Sequence, residues 1–205
     1  MDNLVSAIEC SLRRMGDAMT DEFLALWPAR PWRRRQVAPQ ALPVLQWFET
    51  ATTNSAPEFK AMAEYLCSCS PKLAWAQTYS TAEVGAAFLD RYGWTELIGS
   101  RGPIESATLA VGFLLLGPTT EYPAHHHVAE EVYVPISGQA QWRRGAAPWH
   151  TRPTGAPIYH ASGESHAMRT MNAPLLALYL WRAGDLAQKS EFDRSSPRPA
   201  EPPFT

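Results

Sequence analysis

Short apolar runs follow one another from about Thr95 onward, and each is bounded by Gly, Pro or Asn. They include SATLAVGFLLL, EVYVPI, AQWRR and PLLALYLW. Runs of this length between turn-forming residues are typical of the strands of an antiparallel sandwich or barrel. The sequence therefore predicts a mainly β fold, with residues 96–186 forming a barrel.

The first 95 residues have a different periodicity. Apolar residues recur there at spacings of three and four, as on one face of a helix: Leu4, Ile8, Leu12 and Met15. Two stretches, Ser55–Glu58 and Ser80–Glu83, match the capping-box pattern that begins a helix, and Gly93 is expected to end the second one. We expect residues 1–95 to be an α-helical N-terminal extension that packs on the barrel.

Composition narrows the class of protein. Apolar residues make up 45% of the 205 residues, and the net charge is −2, so nothing favours binding to nucleic acid or to an anionic membrane. The N-terminal stretch lacks the basic start and long apolar run of a signal peptide. Three cysteines are read as reduced thiols of a cytoplasmic protein: Cys10, Cys67 and Cys69. Residues 187–205 are rich in Ser, Pro and charge and are expected to be a flexible tail.

The stretch YPAHHHVAEEVYVPISG, residues 122–138, concentrates side chains that bind metals. Because side chains alternate along a strand, His125 and His127 should share one face and His126 the other. A turn before Glu131 would return Glu131 and Tyr133 to the face of His125 and His127. Imidazole and carboxylate ligands together suit zinc, iron, manganese or nickel.

A barrel metal site usually needs a further ligand from a distant strand. His166, in GESHAMRTMN, is the preferred candidate, and His160 is a weaker one. His150 lies between prolines and is read as part of a loop. The mid-chain position argues against a purification tag, and a solvated polar turn would not require His166 or Tyr133. We predict a metal site formed by four residues: His125, His127, Glu131 and His166.

The motif His-x-His-x3-Glu-x6-Gly, here His125 to Gly138, resembles the first motif of the cupin family. Gly163-x2-His166 resembles the second. The resemblance implies a double-stranded β-helix, or jelly-roll barrel, in the C-terminal half. The run GPTTEYPAHHHVAEEVYVPISG, with its added Tyr133 and the N-terminal extension, is similar to the bacterial cupin-type dimethylsulfoniopropionate lyases.

That resemblance implies an activity: cleavage of dimethylsulfoniopropionate to dimethyl sulfide and acrylate, with one divalent ion of zinc, iron or manganese. It also implies a tyrosine base, which matches Tyr133, and Tyr122 is the second candidate. The substrate is a small zwitterion. Since aromatic faces attract a sulfonium cation, Tyr179 and Trp181 on one strand face are candidate substrate-binding residues, and Trp75 and Trp94 are weaker ones.

Two other functions stay open from the sequence. One is a different metal-dependent cupin enzyme, such as a dioxygenase or an isomerase, which oxygen dependence would distinguish. The other is a non-catalytic, ligand-binding cupin, which would tolerate the loss of Tyr133. A homodimer is also possible, because cupin barrels commonly associate.

Overall fold

The computed structural model of the protein describes residues 1–193. The strands are β1 Trp75–Ala76, β2 Tyr92–Gly99, β3 Ile104–Glu105, β4 Leu109–Leu116, β5 Glu121–His126, β6 Glu130–Ser137, β7 Ala140–Arg144, β8 His150–Arg152, β9 Ile158–His160, β10 His166–Thr170, β11 Leu175–Arg182 and β12 Glu191–Phe192. The helices are α1 Asp2–Met15, α2 Ala18–Leu24, α3 Phe48–Thr53, α4 Lys60–Cys69, α5 Thr81–Val84 and α6 Ala86–Leu89. Three short 3-10 helices cover Pro43–Trp47, Pro57–Phe59 and Ser70–Lys72.

Two sheets make up the barrel. Within residues 1–193, the larger sheet has the order β1-β2-β4-β11-β6-β9, with β3 beside β2, and the smaller has the order β12-β5-β10-β7-β8. The strand pairs are antiparallel except for β2 with β3. The predicted mainly β, cupin-type double-stranded β-helix is confirmed.

The central strands of the larger sheet are buried on both faces, which explains their almost unbroken apolar sequences. Alternate side chains of β4, β6 and β11 join one core with the helices; they include Val111, Phe113, Val132, Val134, Leu178 and Leu180. The intervening side chains face the other sheet and a second cluster; they include Leu114, Tyr133, Ala177 and Tyr179. The helical layer thus covers one face of the sheet, and the other face lines the barrel interior.

Helix α1 shows how the helical layer is held. Its residues Leu4, Ile8 and Leu12 are fully buried and belong to the core shared with the sheet. Asp2 in its first turn and the basic residues in its last turn complement the helix dipole. The division of the chain at residue 95 stays a prediction.

Three local predictions need correction. Ser55 does not cap a helix: its backbone bridges to Ser137, and the 3-10 helix that follows begins at Pro57. The Ser80–Glu83 capping box is confirmed, but its helix ends at Val84, and Gly93 lies within β2 rather than ending a helix. The sheet therefore begins before Thr95. His150 starts β8 and is not in a loop.

The expected tail is partly built into the barrel. Residues Glu191–Phe192 form β12, which pairs with β5, and Ser190 is buried. The other residues of the predicted tail, 194–205, lie outside the described part of the chain. Among the helices of residues 1–193, none is both long and apolar enough to cross a membrane. All three cysteines are free thiols.

Candidate metal centre and active site

The barrel interior contains a cavity of about 360 Å³. The larger sheet contributes Glu131 and Tyr133 from β6, and Tyr179 and Trp181 from β11. His125 enters from β5 of the smaller sheet. The sequence therefore brings predicted metal-binding and substrate-binding side chains to one cavity, because β6 and β11 are neighbours whose inward side chains stand in register.

Three buried histidines converge beside this cavity. One ring nitrogen from each of His125, His127 and His166 lies within 4.8 Å of the other two. His125 and His166 face each other directly across the β5–β10 pair, and their ring centroids are 4.3 Å apart. His127 follows β5, where the chain turns into β6.

Backbone carbonyls fix the orientation of all three rings. The Nδ1 atoms of His125, His127 and His166 lie 2.8, 2.8 and 2.9 Å from the carbonyl oxygens of Pro123, Ala129 and Glu164. A carbonyl only accepts, so Nδ1 carries the proton and the neutral ring keeps its lone pair on Nε2. This is the arrangement that metal-binding histidines use, and the residues fit a divalent ion.

Glu131 lies among the histidines and is fully buried. Its Oε2 is 3.1 Å from His127 Nε2 and 3.2 Å from His166 Nε2, although the second pair is not aligned as a hydrogen bond. Its Oε1 accepts a hydrogen bond of 2.5 Å from Trp181 Nε1. The carboxylate is therefore fixed on both sides and can act as a further metal ligand.

The charges of this group depend on one another. Burial disfavours the charged forms, but the contact between Glu131 and His127 outweighs it, lowering the pKa of Glu131 well below its usual value and raising the pKa of His127. Burial and the neighbouring His166 instead hold the pKa of His125 well below its usual value. The negative charge of Glu131 therefore compensates a positive charge placed beside it. His125, in contrast, is held in the neutral form that a metal ligand requires.

His160, the weaker candidate, lies against His166 and is not part of the group of three histidines that could hold a metal. Its ring stacks on that of His166 with centroids 4.0 Å apart, and it is fully buried on β9. Neither ring nitrogen has a hydrogen-bond partner within residues 1–193. His126 faces the other way, as alternation predicts, and its Nδ1 lies 3.1 Å from Asp193 Oδ1.

Tyr133 is buried two residues from Glu131 and is paired in register with Tyr179 on β11. Burial and the charge of Glu131 raise the pKa of the Tyr133 phenol well above its usual value. Forming the Tyr133 phenolate therefore costs free energy, and the phenolate is strongly basic, unless a positive charge lies nearby. Trp181 packs its ring 4.2 Å from the His127 ring and so closes one side of the site.

Tyr122 belongs to a group of aromatic residues at the other side of the cavity. Its ring stacks on His125 with centroids 4.0 Å apart, and its hydroxyl lies 3.0 Å from the Tyr79 hydroxyl and 3.5 Å from that of Tyr92. Burial raises the pKa of Tyr92 to about 12. Trp94 lines the cavity, whereas Trp75 packs on Phe48 in the core shared with the helices.

Residues 187–192, which the sequence assigns to the tail, lie beside the cavity together with Leu186. We call residues 186–192 the strap. Arg101 donates to the carbonyls of Leu186 and Ala187, and Gln188 accepts from the Val128 backbone. Lys189 pairs with Glu83. Residues of the strap therefore line the site.

Sequence reasoning missed several cavity residues: Gln77, Tyr92, Glu96, Arg101 and Lys189. None belongs to a motif, and they reach the cavity through strand pairings and loops that join distant parts of the chain. The one signal in the sequence was Glu96, an acidic residue within the largely apolar β2 sequence YGWTELIG. Such a position indicates a special role, since charged residues are rarely fully buried.

Comparisons with known proteins agree on one family. The family model for dimethylsulfoniopropionate lyase matches residues 20–177, more than half of the chain. The curated dimethylsulfoniopropionate lyase DddQ of Ruegeria pomeroyi is 33% identical over 150 residues, which are 73% of this chain and 74% of that protein.

Solved structures give the same result. A crystal structure from work on the lyases RdDddP and RnDddQII superposes with a TM-score of 0.82 at 28% identity, covering 94% of this chain and 97% of that one. The structure of DddQ from Ruegeria pomeroyi gives a TM-score of 0.74 at 28% identity, covering 89% and 95%. The chain therefore belongs to the dimethylsulfoniopropionate lyase family.

Proposed function

We propose that the protein is a carbon–sulfur lyase that cleaves dimethylsulfoniopropionate to dimethyl sulfide and acrylate by a metal-assisted β-elimination. The observation that carries this proposal is the single cavity that joins a histidine and carboxylate cluster, a buried tyrosine and an aromatic wall. Membership of the lyase family supports the choice of substrate.

His125, His127 and His166 would hold the metal, with Glu131 as a further ligand. When bound there, a divalent zinc, iron or manganese ion supplies positive charge that stabilises the substrate carboxylate, the charge developing beside it and the phenolate of a nearby tyrosine. Trp181 keeps Glu131 in place through its indole N–H.

Tyr133 is the proposed base. Its phenolate oxygen takes a proton from the carbon next to the substrate carboxylate, and the electron pair of that C–H bond becomes the new carbon–carbon double bond. The neighbouring carbon–sulfur bond breaks with its electrons going to sulfur, so the sulfonium leaves as neutral dimethyl sulfide. The step is redox-neutral, leaves the proton on Tyr133 and requires no oxygen.

The remaining aromatic side chains would bind and orient the substrate. Tyr179 and Trp181 offer aromatic faces to the sulfonium, which has no hydrogen-bond donor. Tyr122 is held by other tyrosines through its hydroxyl, which favours a positioning role over that of a base. A homodimer and a cytoplasmic location stay predictions.

Headspace gas chromatography of dimethyl sulfide tests the proposal. Purified protein, loaded separately with zinc, iron or manganese, would be incubated anaerobically with dimethylsulfoniopropionate. We expect sulfide from the wild type, none after chelation, and a loss of at least about a hundredfold in Tyr133→Phe. Tyr65→Phe, which removes an exposed phenol on α4, is the matched control.

The outcomes separate the competing functions. No sulfide with any of the three metals would refute the lyase proposal. Sulfide release by Tyr133→Phe at the wild-type rate would exclude Tyr133 as the base while leaving the activity in place. Turnover that needs oxygen would favour a dioxygenase instead.

A further inference from the structure

Glu96 is a second buried carboxylate in the cavity. It lies on β2, three strands away from Glu131 on β6, and on the same face of the sheet. It is 6% exposed and lines the cavity from β2. Strand pairing places Glu96 opposite Gly112, Gly112 opposite Tyr179, and Tyr179 opposite Tyr133. Three strand spacings put the Cα atoms of Glu96 and Tyr133 about 14 Å apart, with inward side chains shortening the gap between their functional groups.

Gly112 lies between Glu96 and Tyr179 in the strand register and has no side chain, so it leaves space between them. A Cβ at Gly112 would lie 2.7 Å from the Tyr179 hydroxyl and 2.0 Å from the Thr95 carbonyl oxygen. The Tyr179 phenol therefore lies over the bare backbone of β4 and extends towards β2, the strand of Glu96. An aromatic ring and a carboxylate consequently border the same part of the cavity.

Backbone donors hold the Glu96 carboxylate in place. The N–H groups of Arg101 and Gly102 donate to Glu96 Oε1 over 2.5 and 2.8 Å. Both bonds go to Oε1, and the residue lines the cavity. Burial raises the pKa of Glu96 although both donors oppose this, and a cationic ligand would favour the ionised form.

Three cations lie near this end of the cavity, and each is held by a group other than Glu96. The charges of Arg101 and Arg35 nevertheless favour the ionised form of Glu96, and Arg35 also faces Glu105. Arg101 lies over the Trp94 ring and donates to two strap carbonyls. Lys189 pairs with Glu83 outside the cavity. The interior beyond them therefore has a negative group and aromatic faces, which together attract a cation that cannot donate a hydrogen bond.

We propose that Glu96 is a specificity residue that, with Tyr179, receives the cationic sulfonium end of the substrate while the histidine cluster receives the carboxylate end. This inference rests on the proposed function for the identity of the substrate. The charge on sulfur disappears as the carbon–sulfur bond breaks, so attraction to Glu96 is strongest before the reaction. Glu96 should therefore act on substrate binding rather than on the chemical step.

A pair of unreactive carboxylates that differ only in charge tests this directly. 3-(Trimethylammonio)propionate carries a cation, and 4,4-dimethylpentanoate replaces its nitrogen by carbon. Isothermal titration of the metal-loaded wild type should show at least about tenfold tighter binding of the cationic probe. Glu96→Gln keeps an oxygen for the two N–H donors and should reduce that preference to roughly twofold or less.

The control is Glu105→Gln, which removes a carboxylate that faces Arg33 and Arg35 outside the cavity. It should keep the full preference. Equal binding of the two probes by the wild type would overturn the proposal without any variant, and an unchanged preference in a folded Glu96→Gln would overturn it as well.

Kinetics of dimethyl sulfide release add a second readout. Glu96→Gln should raise KM about tenfold and change kcat by less than about threefold. A loss confined to kcat would contradict the assigned role. If the wild type discriminates between the probes through Glu96 but releases no sulfide with any metal, the cation site stands and the proposed function fails.

Discussion

Buried histidines should make the metal-free protein sensitive to mild acid. Burial and the neighbouring His166 lower the pKa of His160 to about 2, and the pKa of His125 is held well below its usual value for the same reasons. Below the unfolded-state pKa of about 6.5, the unfolded chain takes up a proton on each ring and the folded chain does not. Each ring therefore makes unfolding more favourable as the pH falls.

The size of the effect follows from proton linkage. Between pH 6.5 and pH 5.0, His160 lowers the free energy of unfolding by about 1.6 kcal/mol, and His125 lowers it further in the same direction. His127 and Glu131 change this sum little, because they act in opposite directions: the raised pKa of His127 adds stability as the pH falls, and the lowered pKa of Glu131 removes it. A loss of this size is a large part of the stability of a typical domain.

His160→Phe isolates one of the two contributions. The variant keeps an aromatic ring against His166 and removes two ring nitrogens that have no hydrogen-bond partner within residues 1–193. Urea unfolding of chelator-treated protein at pH 6.5 and pH 5.0 should show a loss about 1.6 kcal/mol smaller than in the wild type. His150→Phe, at an exposed position, should behave like the wild type. An equal loss in His160→Phe and the wild type would refute the reasoning.

Three further results are expected. Ile8→Ala should lower the free energy of unfolding by about 2–5 kcal/mol in urea titration, because Ile8 is fully buried in the core shared with the sheet, and a smaller loss would mean that α1 packs loosely. Gly138→Ala should lower the melting temperature, since a Cβ there would lie 2.1 Å from the Pro174 carbonyl oxygen at a φ of +80°, and an unchanged value would contradict this geometry. Glu83→Gln should speed amide exchange in the strap, measured by mass spectrometry, without changing global stability. Its partner Lys189 holds the pKa of Glu83 at about 2, so the protection of the strap amides, corrected for the intrinsic exchange rate at each pH, should be retained above about pH 4.5 and fall as the pH falls towards 2.

The sequence was sufficient for the parts of the site that are local. His125, His127 and Glu131 lie within seven residues, so strand alternation and one turn place them together without long-range information. The Ser80–Glu83 capping box is local in the same way, and the structure confirms it. Tyr179 and Trp181 were placed on one face because their strand is regular, and both line the cavity.

The missed features depend on contacts between distant residues. Glu96 faces the cavity only because β2 pairs with β4. Gly93 lies within β2, and does not end a helix, because the residues on either side of it pair with β4. Ser55 has the residue pattern of a helix cap, but its backbone pairs with Ser137 instead. Residues 187–193 have the composition of a tail, yet a cation–π contact from Lys189 and the stacking of Phe192 on Tyr79 hold them against the barrel.

The helical layer helps to determine which side chains face the cavity. Strand β6 alternates between Val132, Val134 and Ile136, which pack against the helices, and Glu131 and Tyr133, which face the cavity. A register slip of one residue would place Glu131 against the apolar helices and two valines in the cavity, and burying an uncompensated carboxylate is costly. The apolar helices on one face of the sheet and the polar cavity residues on the other thus favour the same register of β6. The extension therefore helps to position the cavity residues through the strands that it covers, although its residues Leu4, Ile8 and Leu12 lie in the core on the other face of the sheet.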